Sequence, residues 1–256
     1  MDRDGALVVV TVNRPERRNA LDAEVKVALR DTLAEVAADP GVRGVVLTGA
    51  GGHFCAGQDL KEHAGLLEQG SDVALATVAE HYNPMVTTIV TMPKPVVAAV
   101  EGSCVGAGLG LALACDLRVF GRDATLATAF SAIALTCDSG LSYALPRAVG
   151  EARARELVLL GRSFRPEEAV GWGIAGGIAE PGEALTEATR IATRLAAGPT
   201  SAYAESKRLL ADTWTRDLAA TLGAEDEAQR RAGATEDHAL AVKAFLAKER
   251  PVFSGR

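Results

Sequence analysis

Several residue types that mark other protein classes are scarce in this chain. Aromatic residues make up only 4% of the 256 residues. Lysine and arginine (27 together) are outnumbered by aspartate and glutamate (33), which gives a formal net charge of −6. Without a basic stripe the chain is not expected to bind nucleic acid. The longest uncharged stretch of its glycine-rich middle, residues 102–115, is shorter than the roughly 20 residues of a membrane-spanning helix, so no membrane association is predicted.

Cysteine is also rare, and the spacing of the cysteines does not indicate a metal or redox site. Cys55, Cys104, Cys115 and Cys137 are far apart and form no Cys-x-x-Cys pair. No histidine lies at zinc-ligand spacing from them, so no metal site is expected. Scattered thiols are typical of a reducing compartment. Residues 1–10 carry early acidic side chains and no cleavage motif, so no signal peptide is predicted and a cytoplasmic location is expected.

The residues that are present indicate a globular α/β protein. Hydrophobic residues make up 48% and charged residues 23%, as in ordinary soluble domains. Short β-branched or apolar runs predict strands at residues 6–12, 45–48, 95–100 and 116–120. Between them, helices are predicted from Asn19 as N-cap through Val25, Leu29, Leu33 and Val36, at residues 71–92 with an interruption at Pro84, and at residues 106–114. Repeated strand-to-helix transitions favour an α/β fold.

The last quarter of the sequence has a different character. From residue 183 onward there is no strand pattern, and helices are predicted at residues 183–195, 200–213, 218–231 and 235–248. Gly198-Pro199 is a natural hinge before the second of these helices. We therefore expect an α/β core over residues 1–195 and a helical region over residues 196–256.

Two glycine-containing segments follow predicted strands and lead into helices. Residues 51–62 (GGHFCAGQDLKE) include Gly57, which lets the backbone turn sharply and bring amide groups to a ligand. Residues 101–110 (EGSCVGAGLG) open a helix, whose first amides have no intrahelical acceptor. The dinucleotide fingerprint fails because Leu111 occupies its last glycine position. Taken singly, each segment also fits a plain turn or close helix packing; together they indicate two sets of backbone donors.

In combination these segments resemble the crotonase superfamily, the enoyl-CoA hydratase/isomerase family. The matching motifs are Asn13-Arg14-Pro15 with Asn19-Ala20-Leu21, FCAGQDL at 54–60, KPVVAAVEG at 94–102, Gly106-Ala107-Gly108 and Ala114-Cys115-Asp116. The resemblance implies a spiral of repeated ββα units with a C-terminal helical extension. It also implies assembly as a homotrimer, or as a hexamer made of two trimers.

The resemblance further implies that the substrate is an acyl-CoA thioester, so coenzyme A is part of the substrate and no bound cofactor is expected. Two backbone amides, which by position belong to Gln58 and Ala107, would form an oxyanion hole for the thioester oxygen. The implied coenzyme-binding residues are Arg17, Ala56, Gln58, Asp59, Leu60, Lys61, Gly106 and Phe253. A solvated charged turn would explain Arg17 equally well, and Phe253 would reach the coenzyme of a neighbouring subunit.

The acid–base group decides which reaction follows. Hydratases of this family use two glutamates, whose positions fall on Gly110 and Phe130, and neither residue can transfer a proton. Asp138 is the only carboxylate within residues 124–150, and apolar surroundings would raise its pKa towards that of a useful base. Its position also suits the N-cap of a helix at residues 139–149, whereas isomerases of the family have a catalytic aspartate at this turn.

We therefore expect an acyl-CoA isomerase that shifts a double bond or rearranges a ring epoxide through a thioester enolate, with Asp138 as acid–base group. The sequence is most similar to the branch of 2-(1,2-epoxy-1,2-dihydrophenyl)acetyl-CoA isomerases of phenylacetate degradation. The motifs that carry this similarity are Gly57-Gln58-Asp59-Leu60, Tyr82-Asn83-Pro84, Gly106-Ala107-Gly108, Ala129-Phe130-Ser131, DSGLS at 138–142, AFLAK at 244–248 and FSGR at 253–256. An enoyl-CoA hydratase with non-standard groups and a non-catalytic acyl-CoA-binding paralogue remain alternatives. His81 and Tyr82 would lie near the acyl pocket, as lining or as packing, and a His81 that activated water would make a hydrolytic dehalogenase possible.

Overall fold

The computed structural model describes residues 1–174 and 176–256, and two β-sheets organise it. The larger sheet contains, in spatial order, β1 (Asp2–Asp4), β2 (Leu7–Val12), β3 (Gly44–Gly49), β4 (Val96–Val100), β6 (Leu117–Gly121) and β9 (Gly177–Ala179). The smaller sheet contains β5 (Ser103–Val105), β7 (Thr125–Ala127) and β8 (Ser163–Phe164). Pairing is parallel except for β1 with β2 and β7 with β8.

Helices surround these sheets and dominate the second half of the chain. They are α1 (Ala23–Ala38), α2 (Leu60–Leu67), α3 (Ser71–Leu75), α4 (Asn83–Thr91), α5 (Ala107–Ala114), α6 (Leu141–Val149), α7 (Glu151–Leu160), α8 (Pro166–Trp172), α9 (Ala184–Ala196), α10 (Thr200–Ala211), α11 (Leu218–Gly233) and α12 (Glu236–Ala247). Short 3-10 turns lie at Pro15–Arg17 and Phe130–Ile133, and a π turn lies at Val78–Tyr82. Within residues 1–174 and 176–256, no helix is both long and apolar enough to cross a membrane.

The chain repeatedly leaves the large sheet and enters the small one. It passes from β4 to β5 and then to α5, and again from β6 to β7 before the helices that follow. After β3, Cys55 pairs with Cys104 of β5 through an isolated parallel bridge. The predicted α/β class, with a spiral of ββα units and a helical extension, is confirmed. Because these strands are parallel, the loops that follow β3 and β4 meet at the same edge of the large sheet.

The core has a layer on each face of the large sheet. β4 is buried along its whole length, as expected for a parallel strand covered on both faces. One face packs against buried apolar side chains that include Leu29, Leu33, Met85, Ile89 and Leu109. The other face packs against the small residues Ala184, Ala188 and Ala192 of α9. Four-residue spacing puts these alanines on one side of the helix, where they allow close approach to the sheet.

The start of α1 differs from the sequence-based prediction. The N-cap is Asp22, whose carboxylate accepts a hydrogen bond from the Val25 amide at 3.0 Å, so the prediction of Asn19 as N-cap was wrong. Asn19 is buried in the left-handed region, with φ of 58°. Its side chain accepts from the Arg14 amide (2.8 Å) and donates to the His53 carbonyl (2.6 Å). Asn19 therefore ties the loop before α1 to the loop after β3.

The helix predicted for residues 71–92 is interrupted by the π turn at Val78–Tyr82 rather than at Pro84, which is the second residue of α4. Proline has no amide hydrogen to donate to the carbonyl four residues earlier. That carbonyl belongs to Glu80, and it accepts instead from the Arg30 guanidinium at 3.2 Å. The wide turn therefore forms where the α-helical ladder is broken, and π turns are frequent at functional sites.

The C-terminal segment is anchored by hydrogen bonds to Arg43 and Asp237. Arg43, just before β3, donates to the Thr200 hydroxyl at 2.9 Å and to the Phe253 carbonyl at 3.0 Å. The buried Asp237 carboxylate accepts from the amides of Ser254 (2.7 Å) and Gly255 (2.8 Å). The division at residues 195 and 196 stays a prediction.

Candidate active site

The two glycine-containing segments lie side by side. The Cys55 amide donates to the Ser103 carbonyl and the Val105 amide donates to the Cys55 carbonyl, both at 2.9 Å. Gly57 has φ of +87°, and a β-carbon there would lie 2.9 Å from the Val105 carbonyl oxygen and 3.6 Å from the Ala107 nitrogen. Only glycine accommodates both this dihedral angle and this close approach. Gly57 therefore brings the first turn against the start of α5.

Two amides at this junction are free to bind a ligand. Ala107 is the first residue of α5, so its amide has no acceptor inside the helix. On either side of Gln58, the Gly57 carbonyl and the Asp59 amide pair with Leu21, at 2.8 and 3.0 Å. The Gln58 amide itself has no acceptor among the described residues. A pair of main-chain donors on adjoining turns can stabilise an oxyanion.

Asp59 shapes the loop that carries Gln58. Its carboxylate is the N-cap of α2 and accepts from the amides of Lys61 (2.9 Å) and Glu62 (3.2 Å). The Arg14 guanidinium lies 2.5 Å from the other carboxylate oxygen and holds the pKa of Asp59 below its ordinary value. The ion pair fixes the end of the first loop against the segment before α1.

The residues predicted to bind coenzyme A fall in two places. One group contains Ala56, Lys61 and Arg17. The Ala56 amide donates to the carbonyl of Arg18 at 3.0 Å, and the side chains of Arg17 and Lys61 are exposed.

Phe253 lies elsewhere, because its carbonyl binds Arg43 at the beginning of β3, whereas the loop of Gln58 follows the end of that strand. Within one chain, Phe253 is therefore apart from the other predicted binding residues. Leu60 is exposed and Gly106 is buried beside Ala107.

Asp138 lies in a turn before α6 and does not cap that helix. The N-cap is Gly140, and no side chain caps the helix, so the N-cap alternative for Asp138 was wrong. The Asp138 carboxylate accepts from the Ser139 hydroxyl at 2.8 Å. Burial raises the pKa of Asp138, and the bond from Ser139 opposes part of that rise. A carboxylate with a raised pKa is suited to accept a proton from carbon near neutral pH.

The turn of Asp138 packs directly on α5. A β-carbon on Gly110 would lie 2.6 Å from the Ser139 carbonyl oxygen, so the turn occupies the space of a side chain at that position. Gly110 follows Ala107 by about one helical turn, roughly 5 Å along the axis. The Phe130 ring lies on the other side, 3.9 Å from the place of a β-carbon on Gly106. The turn that carries Asp138 therefore lies against α5, about one helical turn beyond Ala107.

A buried tyrosine links these groups, and sequence reasoning missed its partner. The Tyr82 hydroxyl of the π turn donates to the Gln58 side-chain oxygen. Burial first, and then the negative charge of Asp138, raise the pKa of Tyr82 well above its ordinary value, so the phenol stays protonated. The neighbouring His81 hydrogen-bonds the Thr77 hydroxyl at 3.1 Å, and burial lowers the pKa of His81.

Lys26 is the other functional candidate that the sequence-based reading overlooked. Its side chain is almost fully buried, and its ammonium group lies 3.0 Å from Glu62 and 3.5 Å from the Gln58 side-chain oxygen. The signal was available, since Lys26 shares the three- and seven-residue spacing of Leu29 and Leu33. A lysine on the buried stripe of an amphipathic helix needs a polar partner.

A cavity of about 440 Å³ opens away from these residues, between α4, the end of α5 and α10. Its main charged groups, Lys207 and Asp116, pair with each other at 2.8 Å. Lys207 also donates to the Ile89 carbonyl, and Asp116 accepts from the Val96 amide. These charges join α10 to the sheet. Among the described residues, no group of three or more His, Cys, Asp or Glu side chains is placed to hold a metal ion.

Comparison with known proteins places the chain in a defined class. The family profile described as Enoyl-CoA hydratase/isomerase matches residues 2–256, so the chain belongs to this family, which acts on acyl-CoA thioesters. The Escherichia coli protein named 1,2-epoxyphenylacetyl-CoA isomerase is 37% identical over 98% of this chain and 95% of its own length. A Rhodobacter capsulatus protein named "probable enoyl-CoA hydratase" is 36% identical over the same shares.

Solved structures agree with this assignment. A crystal structure from Mycobacterium abscessus is 45% identical, with a TM-score of 0.94 over 97% of this chain and 96% of the other. An enoyl-CoA hydratase from Polaromonas sp. JS666 is 32% identical, with a TM-score of 0.90 over 98% and 97%. The family and the fold are therefore shown, and relatives within the family are named after different reactions.

Proposed function

We propose that the chain is an acyl-CoA isomerase in which the amides of Gln58 and Ala107 hold the thioester oxygen and Asp138 moves the proton. The observation that carries the proposal is the place of Asp138, whose turn packs on α5 within one helical turn of Ala107. Gly110 and Phe130, at the positions of the family's hydratase glutamates, have no group that transfers protons. The similarity to the Escherichia coli isomerase supports the same choice.

The proposed reaction needs a single base. In a 3-enoyl-CoA the thioester carbonyl acidifies C2, and the Asp138 carboxylate removes a proton from it. The electron pair of the broken C–H bond delocalises into the carbonyl, and the two amides stabilise the resulting negative oxygen. Loss of one such donor typically costs about 3–4 kcal/mol of transition-state stabilisation. Asp138 then returns the proton to C4 while the double bond moves to C2, so no water is consumed.

The same enolate could serve the rearrangement of a ring epoxide, the reaction after which the Escherichia coli relative is named. In both reactions coenzyme A is part of the substrate, and no resident cofactor is proposed. Ala56, Asp59, Leu60 and Lys61 would line the coenzyme path, with Arg17 beside it.

We also propose a homotrimer, or a hexamer of two trimers, in the cytoplasm. The C-terminal helices and the turn between α10 and α11 expose large apolar side chains, which a subunit interface would cover: Leu210, Trp214, Leu218, Leu222, Phe245 and Leu246. Phe253 would then reach the coenzyme of a neighbour. The free thiols of the four cysteines are in keeping with a reducing compartment. Light scattering coupled to size-exclusion chromatography tests the assembly.

Three thioesters assayed side by side test the reaction: a 3-enoyl-CoA, crotonyl-CoA and ring-epoxidised phenylacetyl-CoA. We expect turnover of the first or the third, with hydration of crotonyl-CoA at least 100-fold slower. Asp138→Asn should lower isomerisation by about 10²–10⁴-fold with coenzyme A affinity nearly unchanged. Asp123→Asn, on an exposed turn, is the matched control. Efficient hydration of crotonyl-CoA would establish the hydratase instead, and turnover of none would favour a non-catalytic acyl-CoA-binding protein.

A further inference from the structure

The Gln58 side chain is held through one atom. Its oxygen accepts from the Tyr82 hydroxyl and lies 3.5 Å from the Lys26 ammonium nitrogen. An ammonium group only donates hydrogen bonds, so the atom that faces it is the oxygen, which fixes the orientation of the carboxamide. The Gln58 side-chain nitrogen is buried and has no partner among the described residues. Tyr82 and Lys26 are therefore the groups that hold this side chain by hydrogen bonds.

The two donors are themselves buried. Tyr82 and Lys26 are each 1% exposed, and they come from the π turn and from α1. Lys26 pairs with Glu62 of α2 at 3.0 Å, and the second Glu62 oxygen accepts from the Ala23 amide at 2.7 Å. Two elements that are distant from Gln58 in sequence, α1 and the π turn, thus meet at its side chain.

The Gln58 amide belongs to the same planar peptide as the Gly57 carbonyl, which accepts from the Leu21 amide at 2.8 Å. Gly57 has no β-carbon to restrict its dihedral angles, so contacts rather than local sterics must fix the direction of this amide. A catalytic hydrogen-bond donor must nevertheless be fixed in advance, because reorganisation during the reaction costs free energy. A displacement of about 1 Å can cost 10²-fold in rate. The bonds to Leu21 hold the main chain around this amide, and the contacts of Tyr82 and Lys26 hold the Gln58 side chain on the other side.

We propose that Tyr82 and Lys26 are positioning residues of the oxyanion hole, which aim the Gln58 amide by holding the Gln58 side-chain oxygen. The inference rests on the proposed role of the Gln58 amide and deepens it. Both side chains are almost fully buried, so their expected action is on Gln58 rather than on the substrate. Their removal should weaken binding of the enolate more than binding of coenzyme A.

Tyr82→Phe tests the proposal, because it removes only the hydroxyl. With a 3-enoyl-CoA we expect kcat to fall about 10- to 100-fold and KM to change less than about threefold. Affinity for acetoacetyl-CoA, whose enolate imitates the intermediate, should fall by a similar factor, while affinity for coenzyme A itself is unchanged. Lys26→Met should act in the same direction. Tyr143→Phe is the matched control, since its hydroxyl bonds the Ala211 carbonyl away from the site.

A double-mutant cycle shows whether Tyr82 acts through Gln58. Gln58→Met keeps the main-chain amide and removes the carboxamide, so Tyr82→Phe should have almost no further effect in that background. Any of three results would overturn the inference. They are a Tyr82→Phe effect on kcat that is as large in the Gln58→Met background as in the wild type, an unchanged kcat in Tyr82→Phe, and a loss of coenzyme A affinity equal to the loss of acetoacetyl-CoA affinity. If the wild type isomerises no thioester but binds acetoacetyl-CoA, the proposed reaction fails while the affinity measurements still decide the role of Tyr82. Failure of the wild type to bind acetoacetyl-CoA would overturn both.

Discussion

The carbonyl oxygen of Ser139 lies 2.6 Å from the point where a β-carbon on Gly110 would be placed. Real side chains do not tolerate so short a contact with backbone, so the absence of a side chain at residue 110 is what allows the turn of Asp138 to pack on α5. A carboxylate at residue 110 and the present position of Asp138 exclude each other. The proposed site therefore uses a single carboxylate. Residue 110 has no acidic group, and the turn of Asp138 leaves no space for one there.

Gly110→Ala should consequently destabilise the protein by about 1–3 kcal/mol, as overpacking in a core does. The specific activity of the folded variant should also fall, because the turn of Asp138 must move to make room for the new side chain. Denaturant unfolding and the isomerase assay measure the two effects. Gly223→Ala is the control, since Gly223 is an exposed residue of α11 with nothing near its missing β-carbon. That change should stabilise the helix by about 0.5–1 kcal/mol, and an equally tolerated Gly110→Ala would contradict the packing argument.

The pH dependence of kcat/KM should reveal the protonation of Asp138. A base must be ionised, so activity should be lost as pH falls through the pKa of Asp138, which burial raises above the ordinary value of about 3.9. Ser139→Ala removes the hydroxyl that stabilises the carboxylate. We expect it to move this acid limb to higher pH, because the bond from Ser139 lowers the pKa of Asp138. A limb that stays in place in Ser139→Ala would assign the titration to another group.

Asp59→Asn should lower stability at neutral pH by about 1–3 kcal/mol, because it breaks the ion pair with Arg14. The pKa of Asp59 is lower in the folded state, so its contribution is present above the unfolded pKa of about 3.9 and is lost as pH falls through the folded pKa. The difference between variant and wild type should therefore vanish in acid. Asp31→Asn, which breaks an exposed pair with Arg30, should leave stability nearly unchanged.

Lys61→Ala should weaken coenzyme A binding about fivefold at low ionic strength and leave kcat nearly unchanged. The exposed side chain contributes a single charge, worth about 1 kcal/mol in water. Salt screens such a charge, so the difference should shrink as ionic strength rises. Isothermal titration at two salt concentrations measures it, with the exposed Lys243→Ala as control. An effect on kcat alone would place Lys61 at the reacting atoms instead.

The elements that could be predicted from the sequence are those governed by local patterns. The Val25, Leu29, Leu33 and Val36 stripe predicted α1, and the run of apolar residues at 95–100 predicted β4. The C-terminal helices were also predicted, with bounds that differ by a few residues. Hydrophobic periodicity and β-branched runs indicate which face of a segment is buried. The elements whose formation depends mainly on that burial were therefore predicted correctly.

Features that depend on distant partners were missed or misread. Asn19 has a good capping side chain, but its hydrogen bonds go to Arg14 and His53, and its positive φ excludes it from the N-cap geometry. Asp138 has an equally good capping side chain, yet it lies two residues before the true N-cap. Contact between Tyr82 and Gln58 could not be read from either local sequence, because it exists only when the π turn and the loop after β3 meet.

Gly57 and Gly106 show where the proposed oxyanion hole of this protein is encoded. One has φ of +87° and a β-carbon position 2.9 Å from a carbonyl oxygen, and the other has φ of +56° at the start of α5. Neither offers a reactive group, yet each allows the backbone turn that precedes the amide of Gln58 or of Ala107. A complete mutational scan should consequently find its most harmful replacements at two chemically inert residues, while Ala107, which would supply a hydrogen bond through its backbone, tolerates exchange for serine.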